Sequence, residues 1–245
     1  MSAPPNDIAP IDTAMVLAAG LGKRMRPLSN TTPKPLIPVA GKALIDYALD
    51  RFVAADVRQT IVNVHYLADQ VEAHLALRDA PAIIVSDERD ELLETGGGIK
   101  HALPLLGPDP IFCTNTDAIL VDGQGTEPCQ RLIDAWDPTL MDALLLLVPT
   151  EKTSGYEGHG DFSRDRDGRI SFRDGDTAPY VFTGLQIINP AFSADGPEGP
   201  FSTKLLWDQF LAAKRLYGVV HDGDWLHVGD PDGLALAERF FGQLR

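Results

Sequence analysis

Cysteine is nearly absent from the chain: Cys113 and Cys129 are the two in 245 residues. Two thiols far apart make neither a disulfide framework nor a zinc pattern. Cys113, inside an apolar run, reads as a small buried hydrophobe. Basic residues are also in short supply, 21 against 35 acidic, for a formal charge of −14. That average field repels polyanions and excludes nucleic acid and anionic membrane surfaces as partners. Any phosphate must therefore be held by a local cluster of cations. No apolar run reaches membrane-spanning length. Met1 to Asp12 carry three prolines and two aspartates without an apolar signal core. Neither a secretory signal nor an anchor is expected there, and the expected location is the cytoplasm. Residues 1–11 are expected to form a mobile tail, and 12–245 a single domain.

The two commoner phosphate loops are missing as well. No Gly-x-x-x-x-Gly-Lys-Ser/Thr string is present, and Met25 stands where the dinucleotide fingerprint needs its third glycine. What stands there instead is Leu17-Ala18-Ala19-Gly20-Leu21-Gly22-Lys23-Arg24-Met25-Arg26-Pro27-Leu28, followed by Pro33-Lys34-Pro35-Leu36. An apolar run, Ala14 to Ala19, leads into a loop with two glycines and four cations. Glycines let backbone N–H groups approach phosphate oxygens, and the cations neutralise phosphate charge. The stretch reads as a triphosphate-holding loop after a first strand.

Strand and helix patterns alternate over the first half. Strands are predicted at 14–19, 60–64, 82–85, 110–113 and 143–148. Amphipathic helices are predicted through Ile45, Leu49, Phe52 and Val53, over 67–77 and over 99–106. The fold class is therefore α/β, a Rossmann-like and mostly parallel central sheet with helices on both faces. Short strands at 161–163, 169–172 and 180–188, separated by Asp-Gly turns, predict a small antiparallel extension. Helices follow at 204–214 and 231–241, the second with Pro231 in its first turn.

In open α/β sheets ligands sit beyond the carboxyl ends of the strands. Four suggestive segments fall there: Gly20 to Arg26, Asn63-Val64-His65, Glu94-Thr95-Gly96-Gly97-Gly98 and Asn115-Thr116-Asp117. Three glycines ahead of a helix would let a flat ligand lie against the backbone, with Thr95 reading a base edge. Asp117, at the end of a central strand, is a candidate Mg²⁺ ligand, because Mg²⁺ prefers carboxylate oxygens and water. Its plainer role is to cap a turn.

The string from Leu17 to Pro35 resembles the signature of sugar-1-phosphate nucleotidyltransferases. Leu93 to Ile99 is similar to the family's base-contacting segment, and Asn115-Thr116-Asp117 to its Asn-Gly-Asp. Gly158-His159-Gly160-Asp161-Phe162 and Phe182-Thr183-Gly184 resemble its sugar-facing segments. The likeness runs from about residue 13 to 240. It implies UTP and a hexosamine 1-phosphate as partners, with N-acetylmuramic acid 1-phosphate the expected sugar, and Mg²⁺ as cofactor. It further implies that Arg24, Lys34 and Asp117 carry catalysis, and that Ala19, Gly20, Gly22, Lys23, Asn63, Thr95, Gly96 and Asn115 bind the nucleotide. Gly160, Asp161, Thr183 and Gly184 are the implied sugar contacts. One departure stands out: the family's second metal-binding Asp in Trp-x-Asp-Val-Gly is His227 here, in Trp225-Leu226-His227-Val228-Gly229, with Asp230 next. Either His227 joins Asp117 at the metal, which would suit Mn²⁺ or Co²⁺, or Asp230 reaches in, or Asp117 and phosphates hold the ion alone. The alternatives are another sugar 1-phosphate with another nucleotide, glucose 1-phosphate with dTTP or UTP or mannose 1-phosphate with GTP, or a catalytically silent nucleotide-sugar sensor. The sequence leaves the oligomeric state open.

Overall fold

A computed structural model describes residues 10–244. The first strand, β1 (Thr13–Leu17), alternates its side chains between two cores, with Ala14 and Val16 on one face and Met15 on the other. This is the period-two pattern of a strand buried on both faces. After the glycine-containing loop that follows β1, a small hairpin of β2 (Pro38–Val39) and β3 (Lys42–Ala43) leads into α1 (Leu44–Ala54). Helix α1 buries Ile45, Leu49 and Phe52, whereas Val53, expected on the same face, is exposed. Then come β4 (Gln59–Val64), α2 (Ala68–Leu75), β5 (Ala82–Asp87), α3 (Glu94–Leu106) and β6 (Ile111–Asn115). Strands β5, β4, β1 and β6 lie side by side and parallel.

The second half departs from simple alternation. A short β7 (Ala118–Val121) and α4 (Pro128–Ala135) precede β8 (Ala143–Pro149). The glutamate side chain of Glu127 accepts from the N–H groups of Cys129 and Gln130 and starts α4, satisfying donors that a helix N-terminus leaves free. Strand β8 does not pair with β6. Strand β12 (Tyr180–Ile188) lies between them, antiparallel to both, after β9 (Thr153–Ser154), β10 (Phe162–Arg164) and β11 (Ile170–Phe172). A register shift between Phe182 and Gln186 lets β12 follow β8 along its length, as a bulge bends a strand. Strands β10 and β11 extend the sheet as the expected antiparallel ribbon. Helix α5 (Lys204–Ala212), β13 (Leu216–Val220), β14 (Asp224–His227) and α6 (Pro231–Gln243) complete the chain.

The sheet is thus mixed: β5, β4, β1 and β6 run parallel, β12 runs antiparallel to its neighbours β6 and β8, and β13 pairs parallel with β8, with apolar cores on both faces. One core packs α1, α2 and α4 against the sheet and the other packs α3 and α5. A third joins Met25 of the loop after β1 to Leu44, Ile119, Leu226, Val228 and Ala237. Of the expected tail, residues 1–9 lie outside the described residues, and Ile11 is buried in the first core. No described helix is long and apolar enough to cross a membrane.

Candidate functional site

A cavity of about 410 Å³ opens beyond the carboxyl ends of β1, β4 and β6. It is lined by Ala19, Gly20, Lys34, Asn63, Thr95, Asn115 and Asp117 among others. Seven of the residues singled out in the sequence are therefore gathered from five separate segments. Gly22 takes φ +59° and opens a 3-10 turn over Lys23–Met25. A side chain at Gly22 would be strained in that conformation and would crowd the Lys34 and Ser29 side chains, with Cβ contacts of 3.1 and 3.2 Å. Ser29 Oγ donates to the Gly22 carbonyl at 2.7 Å. Met25 is buried and anchors the turn, which leaves Lys23 and Arg24 exposed.

Lys34 sits in its own 3-10 turn, Lys34–Leu36, between Pro33 and Pro35. Its Nζ lies 3.0 Å from Asp117 Oδ2, with side-chain exposures of 12% and 26%. Burial alone would raise the Asp117 carboxyl, but the positive charges of Lys34 and Arg24 and the nearby His227 outweigh it and hold it below the usual carboxylate range. Asp117 is thus ionised near neutrality. The same field acts on His227, whose pKa is lowered chiefly by burial and further by Lys34 and Arg24. Its ring stacks on Trp225, with centroids 5.6 Å apart, and meets the edge of Tyr156. Asp230 caps α6, its Oδ1 accepting from the Gly233 N–H at 2.9 Å.

Asn63 is nearly inaccessible and acts as a tie. Its Oδ1 accepts from the Ala18 N–H at 2.7 Å, and its Nδ2 donates to Glu88 Oε1 at 2.8 Å. The loop entering from β1 is pinned to β4 and β5 in this way. Burial raises the pKa of Glu88, and its Oε2 has no hydrogen-bond partner. Thr95 Oγ1 accepts from the Thr203 N–H at 2.8 Å, which fixes the segment Ser202–Thr203 beside the cavity.

The three glycines behave differently from the sequence expectation. They lie inside α3 rather than ahead of it, and all three are buried. A Cβ on Gly96 would stand 2.5 Å from Phe201 Cε2, one on Gly97 would stand 2.7 Å from the Gly199 carbonyl, and one on Gly98 would stand 2.9 Å from Asn63 and from Glu88. Protein atoms already occupy the space that the missing side chains leave. Gly96 accordingly does not line the cavity, and the ligand-facing residues of this segment are Leu92, Glu94 and Thr95.

With this geometry in place, the chain matches, over residues 14–153, the family described as a MobA-like NTP transferase domain. It is 52% identical over 230 residues to a protein of Caulobacter vibrioides named N-acetylmuramate alpha-1-phosphate uridylyltransferase, covering 92% of this chain and 95% of that protein. A protein of the same name from Neisseria meningitidis is 37% identical, with 94% and 98% coverage. The chain belongs to the MobA-like NTP transferase family. The resemblance to sugar-1-phosphate nucleotidyltransferases carried by residues 17–35 is thereby borne out. A solved UDP-glucose pyrophosphorylase complexed with UDP-glucose superposes with a TM-score of 0.77 at 15% identity, covering 96% of this chain and 100% of that one, which establishes the shared fold.

Not every expected sugar contact of this nucleotidyltransferase lines a cavity. Gly160 and Asp161 line a second cavity of about 480 Å³ with Phe162, Phe172, Arg173, Phe182, Lys204 and Trp207. Asp161 is engaged, its Oδ2 accepting from the Phe182 N–H at 2.9 Å and its Oδ1 from the Tyr156 hydroxyl. Thr183 is turned inward: its hydroxyl donates to the Leu146 carbonyl at 2.9 Å and its own carbonyl accepts from Trp225 Nε1. Gly184 abuts Asn115, with a Cβ contact of 3.4 Å. Leu92, Glu94 and Ser202 also line the first cavity, and Arg173, Lys204 and Trp207 the second. Only Glu94, inside the quoted Glu-Thr-Gly-Gly-Gly string, carried a local signal.

Proposed function

We propose that this chain joins UTP to N-acetylmuramic acid 1-phosphate, releasing pyrophosphate and the UDP-sugar, as in cell-wall sugar recycling. The observation that carries the reading is the single cavity in which the phosphate loop, Lys34, Asp117 and Thr95 meet. The near full-length likeness to two proteins named for that reaction supports the choice of substrates. UTP as a substrate accords with a cytoplasmic location. The catalytic unit is one domain that takes in Ile11 and runs on through the described residues, since the same two cores draw on both halves of the chain.

The sugar phosphate oxygen attacks the α-phosphorus in line, and pyrophosphate leaves from the opposite side. The attacking phosphate is already ionised near pH 7, so no general base is required. Catalysis is then positioning and charge neutralisation. Ala19, Gly20 and Gly22 shape the loop around the triphosphate. Lys23 and Arg24 are exposed and do not line the cavity, but the Arg24 charge reaches Asp117; they take the β- and γ-phosphates, and Arg24 stabilises the departing pyrophosphate. Lys34 neutralises the α-phosphate and the incoming sugar phosphate. Thr95 and the Glu94 backbone face the base. Asn63 and Asn115 hold the floor.

The residues present fit a divalent cation that shares its shell with the triphosphate. Asp117 offers an ionised, partly exposed carboxylate and His227 a neutral imidazole close to it. Among the described residues, no group of three or more His, Cys, Asp or Glu side chains could hold a metal unaided. Mg²⁺ commonly keeps one or two carboxylates and completes its shell with substrate phosphates and water. Asp117 would be the protein anchor, His227 the adjacent donor, and Asp230 the less free of the two because it caps α6. When bound, Mg²⁺, or Mn²⁺ or Co²⁺ in its place, neutralises triphosphate charge. Pyrophosphate release across UTP, dTTP, CTP and GTP, each with several sugar 1-phosphates, tests the reading. Turnover is expected with UTP and N-acetylmuramic acid 1-phosphate; turnover confined to another pair refutes the substrate assignment.

A further inference from the structure

The second cavity adjoins the first through one wall. Ser202 lines the nucleotide cavity and Lys204 the second one, two residues further on. Thr203 between them is clamped by Thr95. On the opposite side, Phe182 of the second cavity is followed at once by Thr183 and Gly184, and Gly184 rests on Asn115 of the first. A ligand whose phosphate lies near Lys34 can extend its far end toward Lys204.

The chemistry of this second cavity is unusual for so acidic a chain. Its floor is aromatic: Phe162 stacks on Phe172 with centroids 5.2 Å apart, and Trp207 stands edge-on to Phe162 and Phe182. Two cations, Arg173 and Lys204, line it. Lys204 Nζ is held 3.9 Å from the centroid of the Phe172 ring and is paired with Asp208, one turn along α5, at 2.9 Å. That partner is half exposed, so the pair is weak and exchangeable. The negative groups nearby are Asp208 and Asp161, and Asp161 already accepts from Phe182 and Tyr156. An ammonium pinned over an aromatic face offers one charge and one apolar surface side by side.

We propose that Lys204 is the specificity-determining residue for an acidic sugar: it takes the carboxylate of the lactyl ether in place of Asp208, while the lactyl methyl lies on the Phe172 and Trp207 rings. Arg173 adds a second positive charge at the same cavity. This inference rests on the substrate reading given above. A sugar without the carboxylate gains nothing from Lys204, so the residue separates N-acetylmuramic acid 1-phosphate from N-acetylglucosamine 1-phosphate, which differs by the lactyl group alone.

The test is kcat/KM for both sugars in the wild-type protein, Lys204→Met and Lys204→Arg. Lys204→Met is expected to lower the value for N-acetylmuramic acid 1-phosphate about tenfold to a hundredfold, mainly through KM, the scale of one charge-assisted hydrogen bond. The value for N-acetylglucosamine 1-phosphate should stay within about twofold, which also reports that the variant folds. Lys204→Arg should recover most of the loss. A wild-type preference for the acidic sugar that survives unchanged in Lys204→Met overturns this inference alone, as does an equal loss for both sugars. A wild-type protein that uses other sugar phosphates and not N-acetylmuramic acid 1-phosphate overturns the substrate reading, and this inference with it.

Discussion

The two cavities of this nucleotidyltransferase are built in opposite ways. The proposed nucleotide side is made at the ends of parallel strands: Gly20, Asn63, Asn115 and Asp117 converge because their strands are neighbours, and Lys34 is brought in by its own 3-10 turn. The proposed sugar side is made where the sheet turns antiparallel, from Asp161, Phe172, Phe182 and the start of α5. The first is fixed by topology and is the one proposed to hold groups common to every nucleoside triphosphate. The second depends on single side chains set on a short ribbon. Changes on the nucleotide side should therefore impair turnover of any sugar, and changes on the sugar side should alter selectivity.

The sharpest way to break this contrast is Asp117→Asn. Lys34 would lose its ion-pair partner and the phosphates their anchored cation. Activity is expected to fall by about a thousandfold or more with every sugar phosphate, measured by pyrophosphate release at saturating Mg²⁺. Near-normal turnover would remove Asp117 from the mechanism. Because the Asp117 carboxyl is held below its ordinary value, it stays ionised as pH falls until below the usual carboxylate range. The acid limb of the activity profile should then carry no loss from Asp117 above about pH 4.

Arg24→Ala comes next. It should cost about 3 kcal/mol of transition-state stabilisation, roughly a hundredfold, in kcat rather than in sugar KM. A loss that depends on which sugar is supplied would blur the two cavities into one.

Gly96→Ala tests a structural claim on the nucleotide side. The added methyl must displace the Phe201 ring, which costs about 1–3 kcal/mol of overpacking, against about 1 kcal/mol gained in helix propensity. A Tm lowered by a few degrees is expected in a calorimetric scan; a raised Tm would mean that the Phe201 contact yields freely.

The smallest expected effect belongs to Glu88→Gln. Burial raises the Glu88 pKa above its ordinary value. For an acid raised on folding, the folded state binds the extra proton, so stability is lost as pH rises from the unfolded value through the folded one. Gln keeps an acceptor for Asn63 and carries no charge. The drop in Tm on going from pH 4.5 upward should be shallower in Glu88→Gln than in the wild type, and an unchanged slope would show that Glu88 ionises without cost.

What was legible in the sequence follows the same division. The loop after β1 stood out because its glycines and cations are contiguous and sit directly after an apolar strand. Asp117 stood out because it lies in the short bend that directly follows β6 and precedes β7. Lys204 did not stand out: an exposed lysine at the start of an amphipathic helix looks like any solvated charge, and the role proposed for it rests on Phe172, which is distant in sequence. The glycine run suggested a loop because each glycine weakens a helix by about 1 kcal/mol. Close packing of α3 on Phe201, Gly199, Asn63 and Glu88 overrides that preference. Strand β12 was recognised as a strand, but its place between β6 and β8 had no local signal. Strand β14, which carries His227, is short, and it is held by β7 and β9 from elsewhere in the chain.

The central claim is that one generic nucleotide cavity feeds one selective sugar cavity. The most direct test is a competition: the protein with UTP, Mg²⁺ and equal amounts of N-acetylmuramic acid 1-phosphate, N-acetylglucosamine 1-phosphate and glucose 1-phosphate, with the UDP-sugars resolved by mass. The account predicts that UDP-N-acetylmuramic acid forms in large excess, with one pyrophosphate released per product. A product mixture that mirrors the equal supply, or a preference for either neutral sugar, would contradict it.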